Sequence, residues 1–327
     1  MSIRVETRPP SGGHRPAPKR TGRGTAGFRL TRLDLKFSPY LYVAPFFVIF
    51  GIFGLYPMIY TFWVSLHSWP PGAIDPEFIG FENFVELWSD SQFWNAVQNT
   101  FGIFILSTIP QLLLALVVAN ALNRKIRGRL LFRAGVVIPI ITSTAAVAIV
   151  FGQLFNTEFG LINYVLGLFG VENIDWQANR YAAWAAIAAM VDWRWIGYNA
   201  LIYLAAMQSI PRDLYESAEL DGASRRRQFW QITIPMVRPT IIFTVIISTI
   251  GGLQLFTEPL LFSTGSGAIS GGSQNQFQTV TMYMYQAMFS RFRFGYAASV
   301  IWVLFIMIII TGLINYLITR RINSSGK

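Results

Sequence analysis

SIPRDLYESAELDGASRRRQFWQITIPMVRP, residues 209–239, is a charged stretch of helix-forming residues set between two long apolar segments. It is too long for a tight helical hairpin and too rich in helix signals for a linker. Ser209 is placed to cap a helix whose first turn holds Pro211 and Asp213, with Ile210, Leu214 and Ala218 at four-residue spacing as one apolar edge. Gly222 ends that helix, because glycine enters the left-handed conformation without a steric penalty. Ser224 caps a second helix, expected to run to Pro235 and Pro239. The pattern is a short helix, a glycine turn and a second helix leading back into apolar sequence, and a segment built this way is folded enough to touch a partner.

The composition places this segment in a membrane protein. Of 327 residues 53% are hydrophobic and only 13% charged, with a mean hydropathy of +0.43, against about 25% charge in a soluble domain. Six apolar segments, 40–66, 100–122, 130–155, 181–207, 240–262 and 296–319, each exceed the ~20 residues that a helix needs to cross ~30 Å of hydrocarbon. The expected fold is all-α, with six transmembrane helices and 209–239 lying between the fourth and fifth. Arg124, Lys125, Arg127, Arg129 and Arg133 follow the second segment; Arg212, Arg225, Arg226, Arg227 and Arg238 follow the fourth; Arg320, Arg321 and Lys327 end the chain. The alternate loops, 75–90, 156–180 and 263–295, hold only Arg180, Arg291 and Arg293. Positive charge collects on the cytoplasmic side, so both termini and the Gly222 loop are expected in the cytoplasm of a multi-pass cell-membrane protein.

The net charge of +10 is therefore read as membrane anchoring and not as a nucleic-acid surface. Residues 1–36, rich in Arg, Pro and Gly, read as a disordered basic cytoplasmic tail; 37–321 form the membrane domain and 322–327 a short cytoplasmic tail. There is no cysteine, and His14 and His67 are the only histidines, which removes disulfides, thiol catalysis and His/Cys metal sites from consideration.

Within 209–239 the residues Glu216, Ser217, Ala218, Gly222, Ile232, Ile234 and Pro235 match the E-A-A-x-x-x-G and I-x-L-P pattern of the permease subunits of binding-protein-dependent sugar ABC importers, the maltose-type family, which this chain resembles. Ser217 and Ile234 replace the pattern's Ala and Leu with little change in volume. The resemblance extends to 130–163 and 193–211 and covers roughly 40–321. It implies a cytoplasmic coupling helix that docks on an ATPase subunit, with Glu216, Ser217, Ala218, Asp221, Gly222, Ala223, Ile232 and Pro235 as the coupling set. It also implies as partners a second, homologous permease, two ATPase subunits and an extracytoplasmic sugar-binding protein. None of the four lysines, Lys19, Lys36, Lys125 and Lys327, sits in a phosphate-cradling G-x-x-x-x-G-K-[ST] context. The chain is thus expected to carry no cofactor and no catalytic residue, with ATP and Mg²⁺ bound by the ATPase subunits. Arg225, Arg226 and Arg227 serve either as lipid-headgroup anchors or as part of the ATPase contact.

Ionisable residues inside the apolar segments are costly, so each requires a reason. Asp192 and Arg194, two apart, do not face each other on a helix and are expected to pair elsewhere, as structural glue or as substrate contacts. Glu258 reads as functional, because Gly251 and Gly252 loosen the segment before it and Pro259 follows. Trp193, Trp195, Tyr198 and Phe256 offer ring faces and Asn199, Gln254 and Glu258 offer hydrogen bonds, which together suit a sugar; ordinary packing is the other reading. In the family the sugar pocket draws on the segments flanking the coupling loop, so the resemblance points to 193–199 and 248–258, with Ser143 and Thr144 as weaker candidates.

The first outward loop holds Trp69, Phe78, Phe81, Phe84, Trp88 and Trp94 and is expected to lie along the membrane surface. The last, with GSGAISGGSQNQFQT at 265–279, reads as flexible and without helix or strand. It resembles the corresponding loop of cello-oligosaccharide permeases; glycerophosphodiesters, trehalose and maltodextrins are left open as substrates. Two other classes fit the sequence less well. An ion-coupled secondary transporter of a small polar solute usually shows internal repeats and acid or His relays, whereas Asp192 and Glu258 stand nearly alone. A membrane-embedded enzyme would need clustered His, Cys or paired acids, which are missing.

Overall fold

The computed structural model describes residues 25–124, 127–263 and 267–324. The chain divides into two units, Met1–Ile59 and Tyr60–Lys327. In the first, α1 (Thr25–Phe50) passes through a five-residue π turn, Gly51–Leu55, into the start of α2 (Tyr56–Ser65), whose residues from Tyr60 on belong to the second. The helix thus begins inside the stretch expected to be disordered: 25–36 are helical, and 1–24 lie outside the described residues. The prolines of the tail stop at Pro18 and Gly27 is the only glycine beyond Thr25 in it, while Leu30, Leu33 and Phe37 recur at helical spacing.

In the second unit a two-stranded antiparallel ribbon, β1 (His67–Ser68) with β2 (Glu77–Phe78), pairs His67 with Phe78. Buried Asn83, on α3 (Glu82–Ser89), donates to the carbonyls of Ser65 and His67 and ties the ribbon to that helix. α4 (Ser91–Asn123) follows, its N-terminus capped by the Asp90 carboxylate, which accepts from the amides of Gln92 and Phe93. α5 (Arg129–Ile141) and α6 (Thr144–Leu154) meet at 92°. The segment read as one continuous span, 130–155, is therefore broken. Pro139 and the β-branched Ile140, Ile141 and Thr142 weaken the last turn, Thr142 and Ser143 become extended, and Ser143 takes the N-cap position of α6.

Next come α7 (Leu161–Gly167), α8 (Arg180–Gln208), α9 (Arg212–Leu220) and α10 (Arg225–Gln228); a second π turn, Phe229–Thr233, then carries the chain into α11 (Ile234–Leu253). The second helix of the opening motif therefore does not stop at Pro235 and Pro239 but runs on past both. The π turn shifts the hydrogen-bond register, with the Ile234 amide donating to Phe229 O, so the amide missing at Pro235 is absorbed where the ladder is already irregular. α12 (Thr257–Phe262), α13 (Val280–Phe289) and α14 (Phe294–Ser324) complete the chain. The expected fifth span, 240–262, is thus two helices, and α11 reaches past Gly251 and Gly252 before it ends at Leu253. Among the described residues four helical runs, Ser38–Ser65, Ser91–Asn123, Arg225–Leu253 and Phe294–Ile318, are long and apolar enough to cross a membrane, and the bent α5/α6 pair makes a fifth if it counts as one span.

α8 is the most enclosed long helix, and its middle carries Asp192, Arg194 and Asn199 among apolar residues. It lies along α4, with Ile103, Ala183, Trp184, Ala186, Ile187 and Val191 in a core shared with Leu255, Phe262 and Phe277. Toward the end that bears Gly222, Leu112, Ala115 and Ala119 of α4 pack with Ala200, Tyr203, Leu204 and Met207 of α8 and Val237 of α11. α5 approaches α8 so closely that a Cβ on Gly197 would stand 1.6 Å from the Val136 carbonyl oxygen, so only glycine fits there. At the other end Leu87, Phe93, Tyr283 and Tyr296 join α3, α4, α13 and α14.

Candidate functional site: a protruding turn and a broken-helix pathway

The 209–239 segment projects at the end of the α4–α8 pair. Pro211 occupies the N-cap of α9, and the Ser209 hydroxyl instead bonds back to Ala206 O at 2.8 Å, so the cap expected of Ser209 is not made. Asp213 is in the first turn, where its charge suits the helix N-terminus. At the other end Gly222 takes φ +76, and the Ala223 amide reaches Ala218 O at 2.8 Å while that of Gly222 reaches Glu219 O at 3.0 Å. That closing geometry needs a left-handed residue. The Ser224 hydroxyl caps α10 by accepting from the Arg227 amide.

One side of α9 is fastened to the π turn that leads into α11, with Tyr215 Oη 2.9 Å from Thr233 Oγ1, and Gln228 Nε2 of α10 donates to Ala223 O and braces the turn itself. Of the expected apolar edge, Ile210 is buried, Ala218 half-buried and Leu214 exposed. Glu216, Ser217, Asp221, Gly222 and Pro235 are exposed, and Ala223 and Ile232 half-buried. Leu220, at 90% exposure, stands beside Gly222, so the turn offers an apolar side chain flanked by carboxylates to whatever meets it.

The second group of residues lies along α8 and the breaks beside it. Arg194 Nη1 donates to Glu258 Oε1 at 2.6 Å, and both residues are 7% exposed. Arg194 thus pairs across to α12, as the two-residue offset from Asp192 required. Glu258, read from sequence as free for a functional contact, is held in this ion pair. Asp192 Oδ1 and Asn199 Nδ2 are buried and without a hydrogen-bond partner among the described residues. Positions 192, 195 and 199 fall on one helical stripe, and Trp193 points well away from it. The aromatic side chains accordingly make separate contacts: Trp195 meets Tyr198 edge-on at 5.7 Å, Trp193 meets Phe151 of α6, and Phe256 meets Tyr285 of α13. Tyr198 and Trp193 are exposed, Trp195 and Phe256 half-buried. Gln254 is exposed in the gap between α11 and α12, and Ser143 with Thr144 sits at the bend between α5 and α6.

The gap after α11 frees the Leu255 carbonyl, which accepts from the hydroxyls of Thr279 at 2.9 Å and Thr281 at 2.6 Å. Thr279 belongs to the outward loop read as flexible. In the structure Gln276, Phe277, Gln278 and Thr279 are buried, and 280–289 is helical; Thr264, Gly265 and Ser266 lie outside the described residues. Asn95 and Asn99 of α4 both donate to Asn275 O at 2.8 Å, and Trp184 Nε1 donates to Gln276 O. Sequence reasoning missed these partners. The signal was present as a polar stripe, Gln92, Asn95 and Asn99, at helical spacing in the first turns of an otherwise apolar helix.

The first outward loop keeps Phe78, Phe81, Trp88 and Trp94 exposed, with Phe84 and Trp69 half-buried. Beneath them burial works against ionising Asp90, yet hydrogen bonds from the Tyr283 and Tyr296 hydroxyls and the Gln92 and Phe93 amides hold its carboxyl below the usual range. Glu86 and Arg293 form an exposed bidentate pair between α3 and the start of α14.

Residues 100–324 match the family described as binding-protein-dependent transport system inner membrane component. The chain is 37% identical over 287 residues to the lactose transport system permease protein LacF of Rhizobium radiobacter, an alignment that spans 86% of this chain and 94% of that protein. It is 31% identical over 306 residues to the arabinooligosaccharides transport system permease protein AraP of Bacillus subtilis, across 92% and 94% of the two. Its fold matches a chain of a bacterial alginate ABC transporter, crystallised in complex with an alginate pentasaccharide-bound periplasmic protein, with a TM-score of 0.75, 23% identity and coverage of 89% of this chain and 97% of that one.

Proposed function

The chain belongs to the family of inner membrane components of binding-protein-dependent transport systems, and on that premise we propose that it forms part of the translocation pathway of an ATP-driven importer for a sugar or oligosaccharide. The observation that carries this reading is the α9–Gly222 turn: anchored on one side by Tyr215 and Gln228, open on the other, and continuous through α11 with the break at Gln254. A helix held in this way can pass the movement of a docked ATPase to the segments that line the pathway. The chain does no bond chemistry of its own; ATP and Mg²⁺ belong to two partner ATPase subunits, and a second permease and an extracytoplasmic sugar-binding protein complete the assembly. Six crossings, with α8 and the bent α5/α6 pair each counted as one, put both termini in the cytoplasm.

The substrate class follows from the pathway residues. The Trp195–Tyr198 pair on α8 offers ring surface and the exposed Gln254 at the α11 break offers hydrogen bonds, the two kinds of group that a sugar ring with its apolar face and equatorial hydroxyls requires. A lost stacking ring costs about 0.5–1.5 kcal/mol beyond its buried area and an unpaired polar group ~1–3 kcal/mol. Tyr198→Ala and Gln254→Ala are therefore each expected to lower sugar uptake roughly tenfold, or to change which sugar is carried. Sugar-stimulated ATP hydrolysis, measured in the complex assembled with its ATPase subunits, should fall in parallel, with basal hydrolysis retained. Parental uptake of every sugar tested in both variants would reduce this chain to a wall of the pathway.

A further inference from the structure

We infer that the recess behind α9 binds the phosphate of an anionic phospholipid. The recess, about 980 Å³, lies between the end of α4, the start of α5, the end of α8 and the α9–α10 loop. Arg124, Arg129, Arg212 and Arg225 line it against Glu216 and Glu219, an excess of two positive charges. Among the described residues none of these arginines has a carboxylate within 4.0 Å, since the ion pairs are Arg194–Glu258 and Arg293–Glu86.

Their donors are poorly matched from within the chain. Arg129 Nε is buried with no hydrogen-bond partner, as is that of Arg133 one turn on. With the Gln208 amide oxygen turned toward them, one terminal nitrogen of each of these two guanidiniums converges on that single neutral acceptor. A guanidinium presents a planar fork of donors, and phosphate oxygens match it with charge as well as geometry. A cavity walled by such forks, with two more arginines than glutamates and, among the described residues, no carboxylate paired to any of them, offers an anion both charge and geometry.

The surface beside it identifies the rest of the ligand. Immediately after Arg129, α5 exposes Leu130, Leu131 and Phe132 at 81%, 78% and 59%. The recess-lining Arg129 and the apolar ledge are consecutive on α5 at the end of the membrane-spanning segments, so a molecule with an anionic head and acyl chains can use both, whereas free phosphate would use only the recess. Because Glu216 and Glu219 of α9 form part of the wall, a lipid seated there would lie against the back of the turn that meets the ATPase. This consequence rests on the function proposed above; the binding itself does not.

The test uses the full-length protein, purified with its co-expressed partners and placed in nanodiscs of phosphatidylcholine with or without phosphatidylglycerol. Native mass spectrometry should show phosphatidylglycerol retained in preference to phosphatidylcholine, and about tenfold less of it in Arg124→Gln combined with Arg129→Gln. A second reading needs no variant: phosphatidylglycerol should raise the melting temperature of the parental protein, and inorganic phosphate added to phosphatidylcholine discs should not. Equal retention of the two lipids, equal phosphatidylglycerol retention by variant and parent, or a shift reproduced by inorganic phosphate alone would overturn the assignment.

Discussion

Gly222→Asp is expected to insert and accumulate at the parental level and to carry almost no sugar, with uptake reduced by more than about tenfold. The argument turns on where the cost falls. Gly222 sits at φ +76 and nothing in the chain lies within 4 Å of a Cβ built there, so the substitution meets strain but no internal clash. A left-handed residue costs roughly 1–2 kcal/mol, and aspartate is among the side chains that tolerate it best. The hydrogen bonds that close α9, from Ala223 N to Ala218 O and from Gly222 N to Glu219 O, are made by the backbone and survive the change. The added carboxylate stands next to Asp221 on an open surface, with nothing of the chain within 4 Å of its Cβ, where a docked ATPase subunit would have to accommodate it. Abundance in membranes and uptake in the same cells check this result. Normal uptake at normal abundance would remove the turn from the coupling path.

Arg194→Ala is expected to be strongly destabilising. The 2.6 Å Arg194–Glu258 pair joins α8 to α12, and both side chains are about nine-tenths buried. Removing one partner leaves the other buried and uncompensated, at about 3–5 kcal/mol, although replacing both with apolar residues of similar volume is often close to neutral. Arg194→Ala should therefore lower membrane abundance and melting temperature in detergent sharply, and Arg194→Met combined with Glu258→Leu should recover most of both. A single variant as stable as its parent would show that the pair does not hold α12 in place.

What could be read from the sequence was mostly local. The α9 helix, the left-handed Gly222 and the Ser224 cap depend on neighbours within five residues, and all three appear as the residue types require. The Ser209 cap failed for an equally local reason: two residues on, Pro211 takes the N-cap, and Ser209 closes the end of α8. Apolar runs located the membrane segments but concealed their breaks, because a 92° bend at Thr142 and Ser143 leaves hydropathy unchanged. Gly251 and Gly252 marked the neighbourhood of the second break, while its position depends on a distant event, the seating of Thr279 and Thr281 on the Leu255 carbonyl.

Long-range pairing was the least legible. Glu258 is separated from Arg194 by 64 positions, and periodicity could show only that Arg194 does not face Asp192. The outward loop misled for a different reason. Its Gly, Ser, Asn and Gln composition matches that of a flexible linker, yet each amide carries both donors and an acceptor. Here Gln276 bonds to Ala178 O, and Gln278 joins Gln286 and Gln92, so polar residues with little apolar surface are buried by hydrogen bonding.

The sidedness and the partner of the Gly222 turn can be read together at Leu220, which is 90% exposed in a chain that has no cysteine of its own. A membrane-impermeant maleimide applied to Leu220→Cys should fail to label it in intact cells. It should label it rapidly in inside-out vesicles stripped of the ATPase subunits, and slowly once those subunits are restored. Labelling in intact cells, or a rate in inside-out vesicles indifferent to the ATPase subunits, would contradict the assignment of this turn as the cytoplasmic contact through which ATP hydrolysis drives transport.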